Sequence, residues 1–94
     1  MKIAIKMTSR VISDTKMFRA YQVLAGDRMK PAGVSCSTTG NEVYAIIRCA
    51  AKAYVKLQEP QSDPDEVETR ITVREQLGTT PRIWLAKLQP KGAK

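Results

Sequence analysis

Residues 41–57 read NEVYAIIRCAAKAYVKL, and this stretch decides the fold because it carries the clearest helical periodicity in the chain. Thr39 or Asn41 can cap the helix, and Pro60 stops it. Apolar side chains recur at three- and four-residue intervals, which predicts one amphipathic helix with one face to bury. The predicted apolar stripe consists of Val43, Ile46, Ile47, Ala50, Tyr54 and Leu57.

A second stripe on the same helix is purely cationic. Arg48, Lys52 and Lys56 recur at four-residue steps, and we call them the basic ridge. The helical rise places the first and last about 12 Å apart. A solvated helix face usually interleaves Glu with its bases, because like charges at this spacing repel. The ridge therefore predicts a surface that binds polyanions, with simple solvation of the helix as the alternative.

Strand patterns lie on both sides of the helix. Residues 3–7 alternate apolar and polar side chains, as do residues 67–73, and residues 82–88 supply a partner strand for the latter. In that partner strand, Trp84 and Leu88 share one face while Ile83 and Leu85 share the other.

Two segments before the helix are less regular. Residues 16–24 favour a strand, and the alternative is a helix with Met17, Tyr21 and Leu24 on one face. Residues 28–37 contain Pro31, which cannot donate to a ladder. That strand is therefore expected at a sheet edge or at a bulge.

This order of elements predicts an α+β fold. We expect a two-layer domain, with an antiparallel sheet covered on one face by a single long helix. The predicted organisation is one domain over residues 1–88, with an acidic loop at 58–66 and a mobile basic tail at 89–94.

Charge is segregated along the chain, whose formal net charge is +7. Residues 1–57 carry +7, residues 58–68 carry −5 and residues 69–94 carry +5. Two cationic blocks around one acidic loop predict nucleic acid or acidic proteins as partners, since a field of one sign concentrates the opposite charge.

The residues that are missing exclude several classes of site. With no His, Ser-His-Asp and Cys-His catalysis are excluded, and the scattered glycines form no phosphate loop. Cys36 and Cys49 cannot supply the four ligands of a structural zinc site, so we expect small buried thiols, no metal and no cofactor. Lys6 breaks the N-terminal apolar run, which predicts a cytoplasmic protein without a membrane segment.

Further cations extend the candidate binding surface. Lys2 and Lys6 lie on the first strand with Arg10 beyond them, and Arg70 and Arg74 lie on the polar face of their strand, which Glu66 and Glu68 share. Among the aromatic residues, we expect Tyr54 and Trp84 in the core and Tyr21 and Tyr44 as exposed contacts. The predicted binding residues are Arg48, Lys52, Lys56, Lys2, Lys6, Arg10, Arg70 and Arg74.

The small size, the strand-helix-strand plan and the lack of a catalytic constellation resemble phage-encoded anti-CRISPR proteins acting on the type I-F surveillance complex. The resemblance covers residues 16–57, from Tyr21-Gln22-Val23-Leu24 through Ala50-Ala51-Lys52-Ala53-Tyr54, without a diagnostic motif.

That resemblance implies a monomeric, non-enzymatic inhibitor in the cytoplasm of a host bacterium. It would bind the CRISPR ribonucleoprotein and block target DNA. The basic balance of this chain departs from that often acidic family, and it predicts contacts to guide RNA and acidic protein surfaces rather than DNA mimicry. The alternatives are a small basic nucleic-acid-binding domain and a small phage structural protein.

Overall fold

The computed structural model describes residues 1–13 and 15–90, and it confirms the α+β two-layer fold. Five strands form one antiparallel sheet. The elements in chain order are β1 (Ile3–Ile12), β2 (Met17–Ala25), β3 (Lys30–Thr38), α1 (Glu42–Leu57), α2 (Pro64–Glu68), β4 (Ile71–Gln76) and β5 (Ile83–Leu88). Across the sheet, the strands follow the order β3-β2-β1-β5-β4.

Short turns and one long crossover produce this order. β1, β2 and β3 are consecutive antiparallel neighbours, and β4 and β5 form a hairpin. Because β5 pairs with β1, β3 and β4 occupy opposite edges of the sheet. The connection between these edges contains α1, which packs across one face and touches all five strands.

The core lies between α1 and that face. The central row of the core consists of Ile5, Val23 and Trp84. Ile5 on β1 is fully buried and lies opposite Val23 on β2 and Trp84 on β5. The Tyr21 and Trp84 rings meet edge to face, with centroids 5.7 Å apart. Tyr54 and Trp84 are buried, as predicted from sequence.

Helix α1 begins and ends close to the predicted positions. Asn41 is its N-cap, and the Oδ1 atom of Asn41 accepts a hydrogen bond from the Tyr44 amide at 2.9 Å. The predicted apolar stripe is wrong at two positions, since Val43 is 53% exposed and Leu57 is 38% exposed. Small residues, which let the backbone approach the sheet closely, take part in the buried face instead: Ala45, Cys49, Ala51 and Ala53.

The acidic segment is more ordered than the predicted loop at 58–66. Residues 64–68 form α2, with Pro64 in its first turn and the Asp63 carboxylate accepting from the Asp65 amide at 2.9 Å. The prediction of a strand from residue 67 is therefore wrong, and β4 begins at Ile71. Val67 is fully buried on α2 rather than on a strand. Local capping and this burial outweigh the alternating pattern.

The two irregular segments are both strands. Residues 17–25 form β2 and not the alternative helix, and Tyr21 and Val23 are buried on one side of the sheet. β3 lies at a sheet edge, and its pairing with β2 shifts register between Gln22 and Leu24. Both features agree with the behaviour expected of a strand that contains Pro31.

The start of the predicted mobile tail is held in place. The Gln89 amide donates to the Arg70 carbonyl at 2.8 Å, which extends the pairing beyond β5. The remainder of that predicted tail, residues 91–94, lies outside the described residues.

Neither helix in the described part of the chain is both long enough and apolar enough to span a membrane.

Candidate nucleic-acid interface

The sheet face opposite α1 carries no helix in the described residues, and we call it the open face. Side chains of a strand alternate between the two faces, so the core residues on each strand identify the residues on the other side. The open face carries Ala4, Lys6, Ala20, Gln22, Leu24, Ser35, Ser37, Thr72, Arg74, Gln76, Ile83, Leu85 and Lys87.

Four cations lie on this face. Lys6 is opposite Ile83, and Lys87 is opposite Thr72. Arg74 lies opposite Leu85, and Lys2 continues β1, since its carbonyl accepts from the Gly26 amide at 2.9 Å. Strand geometry places Lys2 and Lys6 about 13 Å apart along β1. Arg74 on β4 is two strand spacings, or about 10 Å, from β1. The four cations therefore outline one compact patch.

These cations have no carboxylate partner in the part of the chain that the structure describes. Within residues 1–13 and 15–90, none of Lys2, Lys6, Arg74 or Lys87 forms an ion pair. No described strand places Asp or Glu on the open face, and Asp27 lies in the turn after β2 at the end of the sheet. Asp14 lies outside the described residues.

On the opposite side of the molecule, four arginines form ion pairs. Each arginine with a described ion pair meets Glu on the helix side or at its margin. The pairs are Arg19–Glu42 at 3.4 Å, Arg48–Glu68 at 3.4 Å, Arg70–Glu59 at 2.9 Å, Arg70–Glu66 at 3.3 Å, Arg82–Glu42 at 3.1 Å and Arg82–Glu75 at 2.7 Å. The acidic segment thus pairs with Arg48 and Arg70, and Glu42 and Glu75 pair with Arg19 and Arg82. Among the described residues, no ion pair involves the four cations of the open face.

Arg70 and Arg74, which the sequence placed together, are separated by the fold. Arg70 precedes β4 and donates to both carboxylate oxygens of Glu59, at 3.0 and 2.9 Å, and to the Gln89 carbonyl at 3.0 Å. Its side chain is only 11% exposed. These contacts give Arg70 a structural role, and its role in binding remains a prediction. Arg74 is exposed on the open face.

The basic ridge lies on the helix side, away from Lys2 and Lys6. Arg48 pairs with Glu68 and lies over the Tyr44 ring, with its guanidinium carbon 5.6 Å from the centroid. The Lys56 ammonium donates to the Ala32 carbonyl at 3.3 Å. Lys52 lines a cavity of about 280 Å³ between α1 and β3. Two of the three ridge residues, Arg48 and Lys56, therefore already make polar contacts within the fold.

One aromatic prediction is wrong, and one exposed ring was missed. Tyr21 is buried, and its hydroxyl donates to Glu42 at 2.8 Å. Burial, together with the Glu42 carboxylate, raises the pKa of Tyr21 far above its usual range. Tyr44 is exposed, as predicted. Phe18 is 41% exposed and lies opposite Val11 on the side of the open face.

The cysteines lie between α1 and β3. Cys49 is buried and Cys36 is half-buried, and the Cys36 thiol donates to the Ala45 carbonyl at 3.7 Å. A hydrogen bond between the thiols lowers the pKa of Cys36, and the same bond, with burial, raises that of Cys49. No group of three or more potential metal ligands occurs among the residues described.

Comparison with known proteins found no matching family model, no matching curated protein and no matching solved structure.

Proposed function

We propose that this protein is a non-enzymatic nucleic-acid-binding domain whose open face holds the sugar-phosphate backbone. The observation that supports this proposal is the patch of four cations, Lys2, Lys6, Arg74 and Lys87, which has no acidic neighbour on the same face within residues 1–13 and 15–90. Phosphate groups displace counterions from such a patch, and the entropy of counterion release favours binding.

Uncharged polar groups complete the surface. Gln22 and Ser35 lie opposite each other beside Lys6, and Thr8, Ser35 and Ser37 line a shallow depression between β1 and β3. Hydroxyl and amide groups are common partners of phosphate and sugar oxygens. The cations thus supply affinity, and the polar groups fix the position of the strand.

Two variants of matched composition test this assignment. Lys6→Gln/Arg74→Gln/Lys87→Gln removes two Lys and one Arg from the open face, and Arg48→Gln/Lys52→Gln/Lys56→Gln removes the same set from the basic ridge. If the three open-face cations each contact a single-stranded phosphate, the slope of log affinity against log salt flattens by about 2 in the first variant. Fluorescence anisotropy with a labelled oligonucleotide measures the slope.

The comparison of the two variants separates three interpretations. Loss confined to the open-face variant supports the proposal. Loss confined to the ridge variant supports the earlier prediction that Arg48, Lys52 and Lys56 bind the partner. Equal losses assign the effect to net charge and contradict a defined surface. Far-UV circular dichroism confirms that both variants keep the native fold.

A second candidate is inhibition of a type I-F CRISPR ribonucleoprotein in the cytoplasm of a host bacterium. The observation that favours it is the presence of cations on two opposite sides, the open face and the basic ridge. A ribonucleoprotein presents negative charge on both guide RNA and acidic protein surfaces, so one monomer can engage both components.

This second candidate has a stoichiometric test. When the protein is added to a reconstituted type I-F complex, capture of target DNA is expected to fall until a fixed molar ratio is reached, because a binder does not turn over. The inhibition should weaken as salt screens surface charge. Full DNA capture at a several-fold excess of the protein would remove this candidate and leave the nucleic-acid-binding domain.

A further inference from the structure

The β1–β2 hairpin extends beyond the rest of the sheet. β1 pairs with β5 only from Ile3 to Lys6, and β2 pairs with β3 only from Arg19 onward. Residues 11–12 and 17–18 therefore pair only with each other, and we call these two segments the arm. The arm has no neighbouring strand on either side within the described residues.

The arm is apolar where it leaves the sheet. Val11, Ile12 and Phe18 are 54%, 66% and 41% exposed. Arg10 on β1 and Lys16 next to β2 are also exposed, so a cation flanks the arm on each strand. Other copies of this cationic chain would repel it, whereas a polyanion with apolar faces would not.

A bulge determines which side the arm presents. The register of β1 and β2 shifts between Met7 and Ser9, so that Met7 lies opposite Tyr21 but Ser9 lies opposite Ala20. As a result, the β1 side chains exchange faces at Thr8. Val11 and its partner Phe18 therefore extend the open face rather than the core face.

We propose that the Val11–Phe18 pair is a base-stacking platform and that the open face binds single-stranded nucleic acid. This inference rests on the proposed function and names the form of its ligand. Phe18 offers the exposed ring, and Val11 supports the same surface from the neighbouring strand. An unpaired base can stack on such a ring, whereas the bases of a duplex are stacked on one another.

The remainder of the open face fits the same ligand. Between the cations it carries half-buried apolar side chains, including Leu24, Ile83 and Leu85, which suit the faces of unpaired bases. Phe18 lies four residues along β2 from Gln22, the partner of Lys6, and strand geometry makes this about 13 Å. A single strand that runs along β2 could therefore stack a base on Phe18 and place a phosphate near Lys6.

Duplex DNA fits this surface less well. Five strands span about 19 Å across the sheet, which exceeds the roughly 12 Å width of the major groove. A duplex would present phosphates to the cations, but it would leave the apolar part of the face uncovered. Single strands are therefore the better ligand for the face as a whole.

The test compares Phe18→Ala and Phe18→Leu with the wild type. The probes are a labelled 16-nucleotide oligothymidine and a mixed-sequence duplex of the same length. Stacking on one aromatic ring contributes about 1–3 kcal/mol, so Phe18→Ala is expected to weaken oligothymidine binding about 5- to 150-fold. Phe18→Leu keeps apolar volume without the ring and should also weaken binding. Neither variant should change the salt slope, because no cation is lost.

Leu77→Ala is the control, since Leu77 is 89% exposed in the turn between β4 and β5. Thermal melts verify that each variant is folded. Equal affinity of the wild type for both probes, or unchanged oligothymidine binding by Phe18→Ala, would overturn this inference while the proposed function stands. If the wild type binds neither the oligothymidine nor the duplex at low salt, the proposed function itself is contradicted. A concentration-dependent dimer that Phe18→Ala abolishes would assign the arm to self-association and overturn the inference.

Discussion

Replacing Trp84 with Ala is expected to lower the free energy of unfolding by about 3–5 kcal/mol, because the change removes a large side chain from the centre of the core. Trp84 is 4% exposed and lies opposite Ile5 in the central row of the sheet. It contacts Tyr21 edge to face, and the Arg82 guanidinium carbon lies 4.6 Å from the centroid of its ring. A domain with a total stability of about 5–15 kcal/mol would lose much of that stability.

Urea denaturation followed by far-UV circular dichroism measures this loss. Leu77→Ala is the matched control, because it also truncates an apolar side chain but one that is 89% exposed. The control is expected to shift the unfolding free energy by less than about 0.5 kcal/mol. Equal midpoints for the two variants would contradict the placement of Trp84 in the core.

Replacing Glu42 with Ala is expected to cost about 3 kcal/mol of stability, because one carboxylate holds groups from both ends of the chain together. It accepts from the Tyr21 hydroxyl at 2.8 Å and pairs with Arg82 at 3.1 Å and Arg19 at 3.4 Å. The Glu42 side chain is only 17% exposed. Its removal leaves the buried Tyr21 hydroxyl without this acceptor, and leaves Arg19 and Arg82 facing each other across the vacated site.

Glu66→Ala provides the control for this experiment. Glu66 is 40% exposed, and its partner Arg70 keeps the contact with Glu59. Exposed pairs of this kind contribute about 0–1 kcal/mol, so the control should remain near the wild type. Urea denaturation at neutral pH compares the two. If Glu42→Ala is no less stable than Glu66→Ala, the Glu42 cluster does not link the helix to the sheet.

Local sequence patterns predict only part of the cationic surface, and the rest depends on contacts between distant residues. Lys6 and Arg74 could be placed on strands from alternation alone, but their common face depends on β5, which lies between β1 and β4. Pairing of strands that are distant in sequence is set by packing against α1, which no local pattern records. The isolation of the basic ridge from Lys2 and Lys6 follows from the same packing.

The acidic segment and the arm required still more tertiary information. The sequence predicts a solvated loop at 58–66, whereas Glu59 in that segment pairs with Arg70, and Glu68 just beyond it pairs with Arg48. The position of Val11 beside Phe18 on the open face depends on the bulge at Thr8, which exchanges the faces of β1. Neither a fold-specific ion pair nor a register shift can be deduced from residue spacing.

By itself, the sequence determined most of the helices and strands and the kinds of reactive side chain that are present. The Asn41 cap and the apolar stripe specify α1, alternation specifies most of the strands, and the absence of His excludes the common proton relays. Only the tertiary structure decided which charges meet. Ion pairs with Glu form on the helix side, whereas the cations of the open face have no ion pair among the described residues, because strand order and helix packing bring together residues that are far apart in the chain.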